Sequence, residues 1–221
     1  MTWILTASGA DYHLTGTAIL GPEARPILID DIAHHLAIIN RFTGATSRPY
    51  SVAEHSLLCC DIAQRAGAPA FVQLAALMHD AHEAYVSDAS SPAKTAINGY
   101  SMAGGGVPAW TVFENEHMKA VREHFNLRTA FAGYGGFIRE LDLQALATER
   151  RDLTAYESER CAGWPILGEG GPTPIRPLEW AHLNTTYREH TTWQEWREDF
   201  KNRFHRLQAD VKASTAARFA C

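Results

Sequence analysis

Four polar residues fall where the surrounding hydrophobic pattern predicts interior positions. His55 has Val52, Leu58 and Cys59 as its three- and four-residue neighbours along a helix. His79-Asp80 closes the apolar stretch 71–78, and Asp142 has Ile138, Ala145 and Leu146 on adjacent turns. A buried carboxylate is costly unless paired or coordinated, and the local sequence sets no Lys or Arg beside this group. Taken singly, each of the four reads equally as a hydrogen-bonded core residue. Taken together, two imidazoles and two carboxylates suit one divalent ion: Mn, Co, Zn, Ni, Fe or Mg. The expected site contains no cysteine, which argues against a closed structural zinc, and four protein ligands on an octahedral ion leave two positions for water and substrate. Glu83 follows His79 by four residues, so a continuing helix would bring its carboxylate to a water beside the ion without making it a ligand.

These side chains need rigid elements to hold them. Asp30 and Asp31 offer an N-cap for a helix over 31–41, with Ile32, Leu36 and Ile39 at helical spacing. Ser51 with Glu54 reads as a capping box opening a helix to about Ala66, and Gly67-Ala-Pro69 ends it. The run 71–78 is apolar nearly all round, as expected of a helix inside a bundle. Further helices are expected over 112–125 and 137–153, separated by Gly133-Tyr-Gly-Gly136, and from about Thr185, where Trp193, Trp196, Phe200 and Phe204 form an aromatic stripe. Residues 89–94 read as a turn and 98–108, with Gly104-Gly-Gly106, as a loop beside the site that could act as a lid. The first 29 residues suggest one or two short strands. The fold class is therefore all-α: a helical bundle with a small N-terminal β-hairpin or extended arm. A single domain over 1–221 is expected, with its core at about 29–155, a Pro/Gly-rich segment and helix over 156–211, and a loose tail over 212–221.

The order of the polar residues, a His in Ser51-Val-Ala-Glu-His55-Ser, then His79-Asp80, then Asp142, resembles the HD-domain metal-dependent phosphohydrolases. Leu77-Met-His-Asp-Ala-His-Glu-Ala-Tyr85, followed by Asp88 and Pro92-Ala-Lys94, is similar to the corresponding run of bacterial 5′-deoxynucleotidases and prophage-encoded HD phosphohydrolases. Tyr50-Ser-Val-Ala-Glu-His55, Ala147-Thr-Glu-Arg-Arg-Asp-Leu153 and Trp164-Pro-Ile-Leu resemble the prophage group in particular. The resemblance covers residues 29–177 and implies an HD-type bundle. It implies His55, His79, Asp80 and Asp142 as metal ligands, with Glu83 placing the attacking water and Asp88 as a second acidic residue near it. Arg41 and Lys94 would bind phosphate, and Phe42, where the deoxynucleotidases have tryptophan, would line the sugar or base pocket or belong to the core. The implied reaction is metal-dependent hydrolysis of phosphate ester or anhydride bonds in nucleotides, with a (deoxy)nucleoside 5′-phosphate as the leading substrate. A deoxynucleoside triphosphohydrolase and a non-catalytic nucleotide- or protein-binding prophage regulator remain as alternatives.

Composition narrows the partners. With 46% hydrophobic and 20% charged residues the chain can bury a core without disulfides, and its four cysteines form no CxxC pair. A net charge of −5 argues against polymeric nucleic acid as a partner, leaving a small nucleotide. No basic and apolar leader precedes the first elements and no run of about 20 apolar residues occurs, so the expectation is a cytoplasmic protein with no membrane association. The aromatic stripe is expected to pack the core, and it also admits a homodimer or higher homo-oligomer. His82, His117, His124, His182, His190 and His205 are expected at the surface, and Arg150 and Arg151 to pair with Glu149 and Asp152.

Overall fold

A computed structural model of the chain describes residues 2–15 and 27–219. It is mostly helical with one small antiparallel sheet. β1 (Trp3–Leu5) pairs with β2 (Asp11–His13) in the register Trp3 to His13, Ile4 to Tyr12 and Leu5 to Asp11. The expected strand material after Leu14 falls largely outside the described residues. The hairpin turn docks on α1 (Ile29–Ile38): the Ser8 amide and hydroxyl donate to Asp31 at 2.7 and 2.9 Å. Asp31 is thus an anchor for the hairpin, whereas the N-cap of α1 is Leu28, with no side-chain bond. Tyr12 reaches further in, stacking on Tyr85 with ring centroids 3.7 Å apart and hydrogen bonding His117 Nδ1 at 2.9 Å.

Helix α1 ends at Ile38, three residues before the expected limit, because Asn40 pairs with Ser51 in a short antiparallel bridge. A 3-10 turn over Phe42–Gly44 follows, and then α2 (Val52–Arg65). Ser51 caps α2 as expected, its hydroxyl accepting the Glu54 amide at 3.2 Å. The other half of the capping box is absent: Glu54 instead takes two bonds from Arg48, at 2.8 and 2.7 Å, and one from Arg188 at 2.6 Å. α3 (Ala70–Leu77) packs against α2, and its apolar circumference is covered by α2 and by two later helices, over residues 128–153 and 193–219.

The sequence-based expectations diverge most in the middle of the chain. Residues 91–103 form a helix, α5 (Ser91–Ala103), where a turn and loop were expected; Pro92 sits in its first turn, a position that needs no amide hydrogen. No α5 residue is buried, so no hydrophobic stripe marks it. Only 104–108 remain a connection to α6 (Ala109–His124). α7 (Arg128–Leu153) runs unbroken through Gly133-Tyr-Gly-Gly136, since Ala130 and Ile138 on either side of the glycines pack on Ala75 and hold the helix together. The actual break lies at Asn126, whose φ is +57°.

The irregular segment after α7 is fastened along that helix. Arg151 donates to the carbonyls of Leu178 and Ala181, and the Leu183 amide donates to Asp152. A short α8 (Thr186–His190) leads into α9 (Trp193–Phe219), whose Trp196, Phe200, Phe204 and Leu207 join the main core against α1, α2 and α3. The expected tail is part of α9 as far as Phe219. No helix among the described residues is long and apolar enough to cross a membrane.

The Arg48–Glu54–Arg188 cluster joins the start of α2 to α8, and both Arg48 and Glu54 are buried. Glu54→Ala leaves a buried guanidinium without its counter-charge. The expected loss is about 3–5 kcal/mol of unfolding free energy, read from the denaturant midpoint at constant slope.

Candidate metal centre

The loop after α1, helix α2, the end of α3 and helix α7 converge on one point. The Asn40–Ser51 bridge, with the Arg41 amide donating to the Tyr50 carbonyl at 2.9 Å, fixes Arg41 beside the start of α2. The Ser51 cap sets the phase of α2 so that His55 faces α3 and α7. Helix α3 stops just before His79, and residues 78–82 form turns that lead into the single-turn α4 (Glu83–Val86). The helix expected to carry Glu83 onward from His79 is therefore broken. Helix α7 presents Asp142 and, two turns later on the same face, Glu149.

The two imidazoles meet at their Nε2 atoms, 3.2 Å apart. His55 Nδ1 donates to Glu149 Oε1 at 2.5 Å, and His79 Nδ1 donates to the Ala76 carbonyl at 2.8 Å. A carbonyl and a carboxylate only accept, so each Nδ1 carries a hydrogen, and Nε2 is the ring atom left to hold either a proton or a cation. Asp142 Oδ1 lies 3.2 Å from His55 Nε2 and 3.8 Å from His79 Nε2, and Asp80 Oδ2 lies 3.5 and 3.1 Å from the same atoms. Two imidazole Nε2 atoms and two carboxylates aimed at one point call for positive charge there, from protons on the rings or from a bound cation. Ligand atoms about 2.0–2.2 Å from a common ion stand about 3–4 Å from one another, which matches this set. The donor set therefore fits a divalent metal, and the second ring nitrogens are already committed to orienting bonds, as in metal sites generally.

The acidic groups also raise the proton affinity of both rings. Burial opposes the charged form, joined at His55 by the charge of Arg41, yet at His55 Cys59, Glu149 and Asp142 outweigh both, and at His79 Asp80, Cys59 and Asp142 outweigh burial. Both pKa values stand well above the usual 6.5. Burial works against ionised Asp80 and Asp142 as well, and the imidazoles overcome it, holding both carboxyls well below their ordinary range.

All nine residues singled out in the sequence lie in or around this cluster, and several differ in their surroundings from what was expected. Arg41 stands 3.6 Å from Asp80 and 3.3 Å from Glu149, so the cluster does have a cation beside it, brought by a loop that no local spacing could reveal. Glu83 is buried, and its carboxyl pKa is pushed well up by burial and by Asp80 and Asp88. Asp88 is raised by burial and by Asp80 despite the nearby charge of Arg41. Lys94 stands 3.8 Å from Glu83 and is held by Glu114 at 2.5 Å. Phe42 is half-buried, tilted against Trp164 at a ring separation of 6.2 Å. Phe42 at φ +56° and Ser87 at φ +68° are both non-glycine residues in the left-handed region, and they adjoin Arg41 and Asp88. Such conformations cost about 1–3 kcal/mol each and survive where the surroundings over-determine them.

Other residues of the site carried no usable signal or were misread. Glu149 is fully buried and takes bonds from His55, Tyr50 and Arg41; its place seven residues after Asp142 was the available clue. Arg150 consequently pairs with Glu169 and not with Glu149. Cys59, four residues after His55, brings Sγ to 3.7 Å from His55 Nε2, so the expectation of a site without cysteine is overturned. His82 is buried next to Glu114 at 3.6 Å, and His117 is buried under the hairpin; both were expected at the surface.

No family model matches the chain. It is 36% identical over 172 residues to the uncharacterized protein YfdR of Escherichia coli (strain K12), an alignment that covers 78% of this chain and 82% of that protein. It is 46% identical over 182 residues to the uncharacterized protein RCAP_rcc00048 of Rhodobacter capsulatus, covering 78% of this chain and 88% of that one. The chain belongs to the YfdR family. Neither relative's name states an activity, so the chemistry of this YfdR-family protein rests on its own residues.

Two outcomes follow from the site. Glu149→Gln removes the charged acceptor that orients His55, and it lowers affinity for Zn or Mn about 10–100-fold by calorimetric titration. Glu114, though burial opposes its charge, is held at about 2 from an ordinary 4.5 by His82 and Lys94. A depressed carboxylate stabilises the fold above its unfolded pKa and stops doing so as pH falls through its folded value. Glu114→Gln should therefore be less stable than the native chain above pH 4.5, with the gap closing as pH falls toward 2, followed by denaturant midpoints across that range.

Proposed function

We propose that this protein is an HD-type metal-dependent phosphohydrolase acting on nucleotides, with a (deoxy)nucleoside 5′-phosphate as its substrate. One observation carries the reading: two imidazoles with opposed Nε2 atoms and two carboxylates meet at one point, in the chain order of that superfamily. A divalent ion held by His55, His79, Asp80 and Asp142 would supply Lewis-acid polarisation of a phosphoryl oxygen and a more acidic water. Arg41, fixed by its loop between Asp80 and Glu149, offers the remaining faces of its guanidinium to phosphate. Lys94 adds a point charge on the Glu83 side. Glu83, buried and with a raised pKa, is suited to taking a proton from the attacking water and returning it to the leaving oxygen. Asp88 stands on the same side, where Arg41 and Lys94 moderate its charge. No covalent enzyme intermediate is required.

A triphosphate would need cations along its phosphate chain beyond Arg41 and Lys94.

The test is a product assay on protein stripped of metal and reloaded with Mn, Co, Zn or Mg, across nucleoside mono-, di- and triphosphates. Metal-restored release of phosphate from monophosphates is expected, and Glu83→Gln should lower turnover by about 100-fold or more while keeping the metal. Release of triphosphate or pyrophosphate moves the assignment to the triphosphohydrolase branch. Metal bound without turnover of any nucleotide leaves the non-catalytic regulator.

A further inference from the structure

We infer that Cys59 is a thiolate ligand of the metal centre, making it a mixed imidazole, carboxylate and sulfur site; this rests on the metal-centre reading above. His55 and Cys59 are separated by four residues on α2 and so share one helix face. Cys59 is buried, and its Sγ approaches the ring atom of His55 that faces the cluster, at 3.7 Å. One ligand atom each from His55, Cys59, His79 and Asp142 can be chosen so that all lie within 4.8 Å of one another. For an ion bound to nitrogen at about 2.0–2.1 Å and to sulfur at about 2.3 Å, angles from octahedral to tetrahedral separate the two donors by about 3.1–3.6 Å. The observed 3.7 Å lies beside the upper end of that range. A hydrogen bond between the Cys59 thiol and His55 Nε2 has the same spacing, and spectroscopy separates it from ligation.

The adjacent thiol provides an internal contrast. Cys60 Sγ accepts from Arg203 at 3.4 Å, and burial raises its pKa to about 11. It serves the packing of α2 on α9, whereas Cys59 faces the cluster. Ligation breaks the Cys59 S–H bond: the sulfur electron pair goes to the ion and the proton to solvent, with no change of oxidation state. A thiolate among the ligands shifts preference toward Zn, Co and Fe and away from Mg, which favours all-oxygen surroundings.

The experiment loads the full-length protein with Zn for X-ray absorption and with Co for optical absorption. A sulfur scatterer at about 2.3 Å beside a nitrogen and oxygen shell at about 2.0–2.1 Å is expected, with a sulfur-to-cobalt charge-transfer band in the near ultraviolet. Cys59→Ser should lose both signals and Cys60→Ser should keep both. A native protein that binds Zn through nitrogen and oxygen alone overturns the assignment of Cys59 and leaves the His/Asp centre standing. A native protein that binds neither ion overturns both. The native spectra decide the matter even if Cys59→Ser fails to fold.

Discussion

Glu149 is a carboxylate without access to water, and the site is organised by the need to satisfy it. Burial alone would drive it toward the neutral form, yet Arg41 and His55, with the Tyr50 hydroxyl, keep it ionised and below its usual pKa. Each partner comes from a different part of the chain: the loop after α1, the residue before the α2 cap, and the first turns of α2. In meeting the charge of one side chain these segments acquire fixed positions, including the tilt of the His55 ring that aims Nε2 at His79. Removing any one of them leaves the others with an uncompensated buried charge or dipole, which is why such networks are costly to half-dismantle.

The buried polar cluster was legible because its members violate a pattern. His55, His79, Asp80 and Asp142 interrupt hydrophobic periodicity, and the apolar stretch before His79 announces a buried helix end. The Ser51 cap was legible for a local reason, since a hydroxyl at N-cap binds an amide three residues on. Glu54 was only half legible: its spacing suits a capping box, but two arginines from other segments compete for the same carboxylate and prevail. Arg41 was singled out through the resemblance, but its place between Asp80 and Glu149 is set by tertiary contacts; Glu149 and Cys59, also brought beside the cluster by the fold, were hinted at only by their seven-residue and four-residue spacings to Asp142 and His55.

Helix boundaries were misread where burial and composition disagree. The glycines of α7 suggested a gap, but the packing of Ala130 and Ile138 outweighs the roughly 1 kcal/mol that each glycine costs relative to alanine. Helix α5 failed to register because it buries nothing, and an unburied helix has no stripe to read. His82 and His117 were placed at the surface because one-dimensional spacing cannot register partners such as Glu114 and Tyr12, which arrive from other elements.

Helix α5 stands apart energetically. It rests on α6, exposes Ile97, Tyr100 and Met102 to solvent, and is fastened at its start by the Lys94 pairs to Glu114 and Glu83. A segment with so little apolar burial belongs to the low end of the molecule's local stabilities. The lysine beside Glu83 is carried by this lightly packed helix. A change of charge at Glu83 or Glu114 would therefore be transmitted to α5 through Lys94.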